Sequence, residues 1–209
     1  MDTNSGVLRN GERRKFSVNY LAKIAILGAI SWIVMLFEFP LAFIFPSFLK
    51  FDFSDIIPLI GSLAMGPVAG ILIELIKNAL HLLQTTTAGV GDLANFVVGA
   101  AFVGVAGLYY KNHKTRNGAL ISLLFGILSM IIAGALVNYF ITIPLYAIVL
   151  NLNVDMIVSW STQVIPAIHD KFTLILFAFC PFNLLKGVVL ALITWLLYKK
   201  LSPLLHKGL

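Results

Sequence analysis

Five long stretches, 17–39, 53–84, 92–110, 118–150 and 171–198, are nearly free of charged residues. A helix needs about 20 mostly apolar residues to cross a bilayer. In hydrocarbon its backbone N–H and C=O groups must pair within the segment, which makes helices the natural reading of such runs. The class expected is an all-α integral membrane protein. Composition agrees: 59% of residues are apolar, 11% are charged and the mean hydropathy is +0.95. A soluble domain is about one quarter charged. At 209 residues the chain forms a single membrane domain, with no room for a separate soluble one.

Charge sets the topology. Three basic clusters flank the apolar runs: Arg9, Arg13, Arg14 and Lys15; Lys111, Lys114 and Arg116; and Lys199, Lys200 and Lys207. Lys and Arg mark cytoplasmic loops, so an even number of crossings must separate successive clusters. Reading 53–84 as one helix breaks that parity. Gly66-Pro67 splits it, because a Gly-Pro pair marks a turn and proline suits the first turn of a new helix. Six transmembrane helices follow, at about 17–39, 53–66, 67–84, 92–110, 118–150 and 171–198, with a tail 1–16 and both termini cytoplasmic. Helix 53–66 is short for a span, so neighbours must shield it or a loop dipping into the membrane must lead into it. The long run 118–150 is expected to tilt or project outward, and 151–170 reads as an outer loop. The first run is too long for the 7–15-residue core of a signal peptide and is read as a retained helix. The net charge of +6 is explained by membrane orientation, not by nucleic acid.

Polar residues inside the spans carry the functional signal. Glu74, Lys77, Asn78, His81 and Gln84 share one helical face. Glu74 and Lys77, three apart, can partly neutralise each other. The stripe suits either a structural ion pair or the wall of a polar cavity. Acids at one depth on several helices, as a proton relay needs, are not apparent. In the last helix Asn183 and Lys186 lie three apart, and Lys186 has no acid on its own helix to pair with. A buried lysine of this kind is a ligand-contact candidate. Asn138 and Tyr139 add polar groups in the fifth helix, where a hydrogen bond between helices is equally plausible. Segment 38–55 holds six of the sixteen Phe residues. So aromatic a loop should pack onto the bundle as a lid, with Lys50 and Asp52 as its polar tips. The alternative is an interfacial aromatic belt. Ala22, Ala25, Gly28 and Ala29 give helix 1 a small-residue pattern that permits close helix approach.

Several chemistries are missing. The chain has no GxxxxGK[ST] phosphate loop, no HExxH, no GxSxG and only Cys180, so ATP hydrolysis, metal sites and disulfides are not expected. It reads as a non-enzyme without cofactor or metal.

The run FLKFDFSDIIPLIGSLAMGPVAGILIELIKNALH at 48–81 resembles the substrate-binding S components of energy-coupling factor vitamin transporters, within these most nearly the riboflavin-specific branch. GDLANF at 91–96, AILGA in helix 1 and the Asn183/Lys186 pair fit as well. The resemblance covers nearly the whole chain. It implies a multi-pass protein of the bacterial cell membrane, surrounded by lipid, that captures riboflavin from outside. The pocket would draw on Phe48, Leu49, Lys50, Asn95, Asn138, Asn183 and Lys186. Ala25 and Ala29 would contact a transmembrane coupling subunit, which works with two cytoplasmic ATPase subunits. The bare residues give weaker support: no outer arginine clamp is available for phosphate or carboxylate. An S component for thiamin or pantothenate, or a stand-alone facilitator, are the competing readings.

Overall fold

The computed structural model describes residues 17–206. The predicted tail with its first basic cluster, and Lys207 of the last, lie outside the described residues. Helix α1 (Val18–Met35) is capped by the Ser17 hydroxyl, which accepts from the Tyr20 N–H. Ile24, Gly28, Ser31 and Met35 are its buried residues, while Leu21, Ile26, Ile30 and Ile33 stay exposed. Large exposed apolar side chains recur on every long helix, as expected of a chain solvated by lipid.

After α1 the chain forms a small hairpin, in which β1 (Phe39–Pro40) pairs antiparallel with β2 (Lys50–Phe51). The aromatic segment does pack onto the bundle. Phe45 meets Phe182 edge-on at 5.4 Å and Phe48 lies 6.0 Å from Phe179. These rings join the larger apolar core at this end, with Leu49, Ile157, Ile168 and Leu174.

Helix α2 (Ile56–Met65) starts three residues later than expected, because Ser54 and Asp52 form a side-chain-capped turn. Asp52, Ser54 and Asp55 are buried, so a non-helical segment dips into the bundle and leads into the short helix. The break before α3 (Pro67–His81) falls at Gly66-Pro67. Gly66 has φ +99°, a conformation that side-chain-bearing residues rarely adopt. A 3-10 turn, Leu82–Gln84, ends this helix and leaves Gln84 exposed, off the buried stripe.

Helix α4 (Val90–Asn112) packs closely on α5 (Arg116–Val137). Gly126 permits this, since a Cβ there would lie 2.9 Å from the Phe102 ring. A second core at this level holds Leu59, Phe102, Val103, Leu123 and Leu190. Helix α5 continues through a π turn, Asn138–Thr142, into α6 (Ile143–Val149). In the last rod α8 (Lys171–Leu174) runs through a second π turn, Ile175–Phe179, into α9 (Cys180–His206). Each π turn ends two residues before a proline, Pro144 or Pro181. A proline has no N–H and crowds the carbonyl four residues back. The wider turn absorbs that conflict and keeps the rod continuous.

Segment 151–170 is not simply a loop. Asn153 caps α7 (Val154–Thr162), which buries Ile157 and Ser161. Among the described residues, four helical rods, 18–35, 90–112, 116–149 and 171–197, are long and apolar enough to cross a membrane.

Candidate ligand site and the charge network beside it

The hairpin end of the bundle encloses a cavity between the aromatic segment, the ends of α1 and α3, and helices α4, α5 and α9. Phe48, Leu49, Lys50, Asn95, Asn138, Asn183 and Lys186 all line it. The fold thus brings together seven residues spread over 139 positions of sequence.

The two buried amides are held alike. Asn138 Nδ2 donates to the Gly134 carbonyl at 2.7 Å, and Asn183 Nδ2 donates to the Phe179 carbonyl at 2.9 Å. Each bond spends one N–H on the preceding helical turn and leaves the amide oxygen for a partner in the cavity. A Cβ on Gly134 would lie 3.0 Å from Asn183 Cγ, so this glycine makes the room in which the amide sits. Phe48, Leu49, Phe179 and Phe182 supply apolar wall. Asn95 is half-buried, with its Nδ2 3.9 Å from Met35 Sδ.

Sequence reading missed the loop after α3. Thr85, Thr86 and Thr87 line the cavity. Thr85 Oγ1 accepts from the N–H of Gly89, and Thr87 Oγ1 from that of Gly91, which fixes the entry into α4. A run of three threonines after a polar helical stripe was the available signal. Tyr146 and Thr142 also reach the cavity, because the π turn carries α6 over it.

Lys186 departs from expectation. It lacks an acid on its own helix, yet its Nζ lies 2.8 Å from Asp52 Oδ2 and 2.9 Å from Asp55 Oδ2. Asp52 is therefore not a polar tip of a lid. It is 2% exposed and is held by the Ser54 N–H at 2.8 Å and by the Ser54 hydroxyl. Lys50 is the exposed tip and pairs with Glu38. Asp55 also meets Lys77, and Lys77 lies 2.7 Å from Glu74 Oε2. The expected Glu74–Lys77 pair is thus one part of a longer chain, from Asn78 through Glu74, Lys77, Asp55 and Lys186 to Asp52. The acids do gather, contrary to the sequence reading, because the dipping segment adds two of them to α3. A Cβ on Gly99 would come within 2.8 Å of the Glu74 carboxyl, so α4 closes over it without a side chain. At the end of α3, His81 Nδ1 is 2.5 Å from Asp92 Oδ1, and both residues face the cavity.

Every charge in this network is buried, and buried ions persist only when paired and hydrogen-bonded. The network therefore ties the aromatic segment to α3 and α9, and one of its members, Lys186, forms cavity wall. Among the described residues no group of three or more His, Cys, Asp or Glu side chains is placed to hold a metal ion.

The family model for the substrate-specific component of ECF transporters matches residues 19–198. The chain belongs to this family. As an S component it shares 32% identity with the riboflavin transporter RibU of Staphylococcus aureus (strain TCH60), over 93% of this chain and 98% of that protein. It is 34% identical to the riboflavin transporter FmnP of Bacillus subtilis (strain 168), over 89% of this chain and 93% of that one. A solved S component of a bacterial ECF transporter has the same fold, with a TM-score of 0.69 and 31% identity over 90% of this chain and 98% of that one. In this S component the helix 1 alanines sit off the main packing face: Ala25 is exposed and Ala29 half-buried, whereas Gly28 is pressed against Ile76.

Proposed function

We propose that this S component captures riboflavin from outside the bacterial cell membrane and releases it inward when docked on a coupling subunit driven by two cytoplasmic ATPases. Kinship with riboflavin transporters over about nine-tenths of the chain carries the choice of vitamin. The cavity supports it. Riboflavin is uncharged, with a flat ring system edged by donors and acceptors and a chain of hydroxyls. Phe48, Leu49, Phe179 and Phe182 offer apolar faces, while Asn138, Asn183, Lys186 and the threonine loop offer polar partners. A few polar groups in an otherwise apolar pocket are what fix a ligand's orientation. Phe48, Leu49, Lys50, Asn95, Asn138, Asn183 and Lys186 are the contacts we assign. Riboflavin is cargo, and the protein needs no cofactor or metal of its own.

Six crossings with both termini cytoplasmic complete the reading. Gly107, late in α4, packs against Pro67, which puts the Gly66-Pro67 turn and the basic loop after α4 at one end. The cavity lies at the other. Ala25 and Ala29 present a small-residue surface to the coupling subunit.

Flavin fluorescence tests the central claim. Purified protein should quench added riboflavin with one-to-one stoichiometry and compete poorly with thiamin or pantothenate. Protein that leaves riboflavin fluorescence unchanged, or that copurifies with a different vitamin, would sink the riboflavin assignment and leave family membership standing.

A further inference from the structure

Each basic side chain at the cavity wall already has a carboxylate partner. Lys50 pairs with Glu38, His81 with Asp92, and Lys186 with both Asp52 and Asp55. Beyond the wall, the buried network sets two ammonium groups, Lys77 and Lys186, against three carboxylates, Asp52, Asp55 and Glu74. With all five groups ionised, its formal balance is one negative charge in excess. A lysine-lined cavity would ordinarily attract anions, but this lysine is more than compensated by carboxylates within 3 Å. In a medium of low dielectric constant that compensation acts over the whole cavity.

Lys186 has three N–H donors. One is donated to Asp52 Oδ2, Asp55 Oδ2 lies 2.9 Å away as an ion-pair partner, and the residue itself forms part of the cavity wall. Asp52 does not line the cavity. Its Oδ1 is fixed by the Ser54 N–H and hydroxyl, and its Oδ2 takes Lys186, so it touches the site only through the lysine. Resting on the riboflavin reading, we infer that Asp52 is a positioning and specificity-determining residue. It aims the Lys186 donor at the ligand while cancelling the lysine's charge, so that the site accepts an uncharged flavin and disfavours one bearing a phosphate. Asp55 shares the compensation, but its second tie to Lys77 makes it part of the bundle's own support as well.

Asp52→Asn and Ser54→Ala separate the two halves of this role. Asp52→Asn removes one carboxylate and brings the network to formal neutrality. The ratio of riboflavin to flavin mononucleotide affinity, read by fluorescence quenching on purified protein, should fall by about tenfold or more, the size of effect seen when a close charge pair is altered. Ser54→Ala keeps every charge and loosens only the aim of Asp52, so riboflavin should bind a few-fold more weakly with the ratio unchanged. In a Lys186→Met background, Asp52→Asn should no longer weaken riboflavin binding itself, because the donor that Asp52 aims is gone. A merely structural role would move both affinities together and add to the effect of Lys186→Met. An Asp52→Asn protein with the parental ratio overturns the inference. If that variant does not fold, Ser54→Ala decides: parental riboflavin affinity there overturns it as well. Should the parent bind no flavin at all, the riboflavin reading falls and this inference falls with it, which is a distinguishable result.

Discussion

Asn183 offers the cleaner single-residue probe of the cavity, because its amide is neutral and its one intramolecular bond is to its own helix. Asn183→Leu removes the free oxygen and should weaken riboflavin binding at least about tenfold, the usual loss for a hydrogen bond of 1.5 kcal/mol. Folding should survive, since no other side chain depends on the amide. Lys186→Met is expected to weaken binding as much and to cost stability too. It strands Asp52 and leaves Asp55 with Lys77 alone, and breaking one side of a buried pair costs about 3–5 kcal/mol. Thermal unfolding followed beside fluorescence quenching should therefore separate the two variants. Gly134→Ala tests the same amide from across the helix pair: the added methyl group must displace Asn183, so affinity should drop several-fold with the helices intact. Asn183 and Lys186 were legible because spacing on one helix is a local property. The partners of Lys186 were not, because Asp52 lies 134 positions away and only the dipping segment brings it near.

At the scale of elements, the Gly66-Pro67 break was legible because glycine and proline act through their own backbone geometry. The two π turns were not: Pro144 and Pro181 announce a conflict with the helix, but not whether it resolves as a kink or a wider turn. Helix α7 was hidden because Asn151, Asn153 and Asp155 gave its approach the look of a loop, while Ile157 and Ser161, four apart, are its buried residues. Helix α1 now has two distinguishable faces. Ile24, Gly28, Ser31 and Met35 face the bundle, and Ala25 is exposed. Ala25→Trp and Ala29→Trp should therefore leave riboflavin binding by the isolated protein near parental, while co-purification with the coupling subunit and cellular uptake are lost. Equal loss of binding and uptake would mean that these alanines only pack the bundle.

For the whole molecule, the open question of topology turns on α2. Its 10 residues rise about 15 Å, half of a hydrocarbon core of about 30 Å, so it crosses only together with the buried segment that precedes it. If that combination does not count as a crossing, α3 and every later helix reverse direction relative to the N-terminal tail. The proposed topology counts it as a crossing; Asp52 and Asp55 are charge-paired inside the bundle, so the segment can enter it without meeting lipid unpaired. The basic loop holding Asn117 and the capped start of α7 then lie on opposite sides of the membrane. Asn117 and Asp155 are both exposed, whereas Val154 is half-buried, so Asp155 is the better reporter for the second side. In a Cys180→Ser background, Asn117→Cys should react with a membrane-impermeant maleimide only after the cells are opened. Asp155→Cys should react in intact cells. The reverse pattern, with Asn117→Cys reacting in intact cells and Asp155→Cys only in opened ones, would show that the segment leading into α2 does not complete a crossing. The cavity would keep its walls in that case, but its opening could no longer be assigned to the outer face from the basic loops.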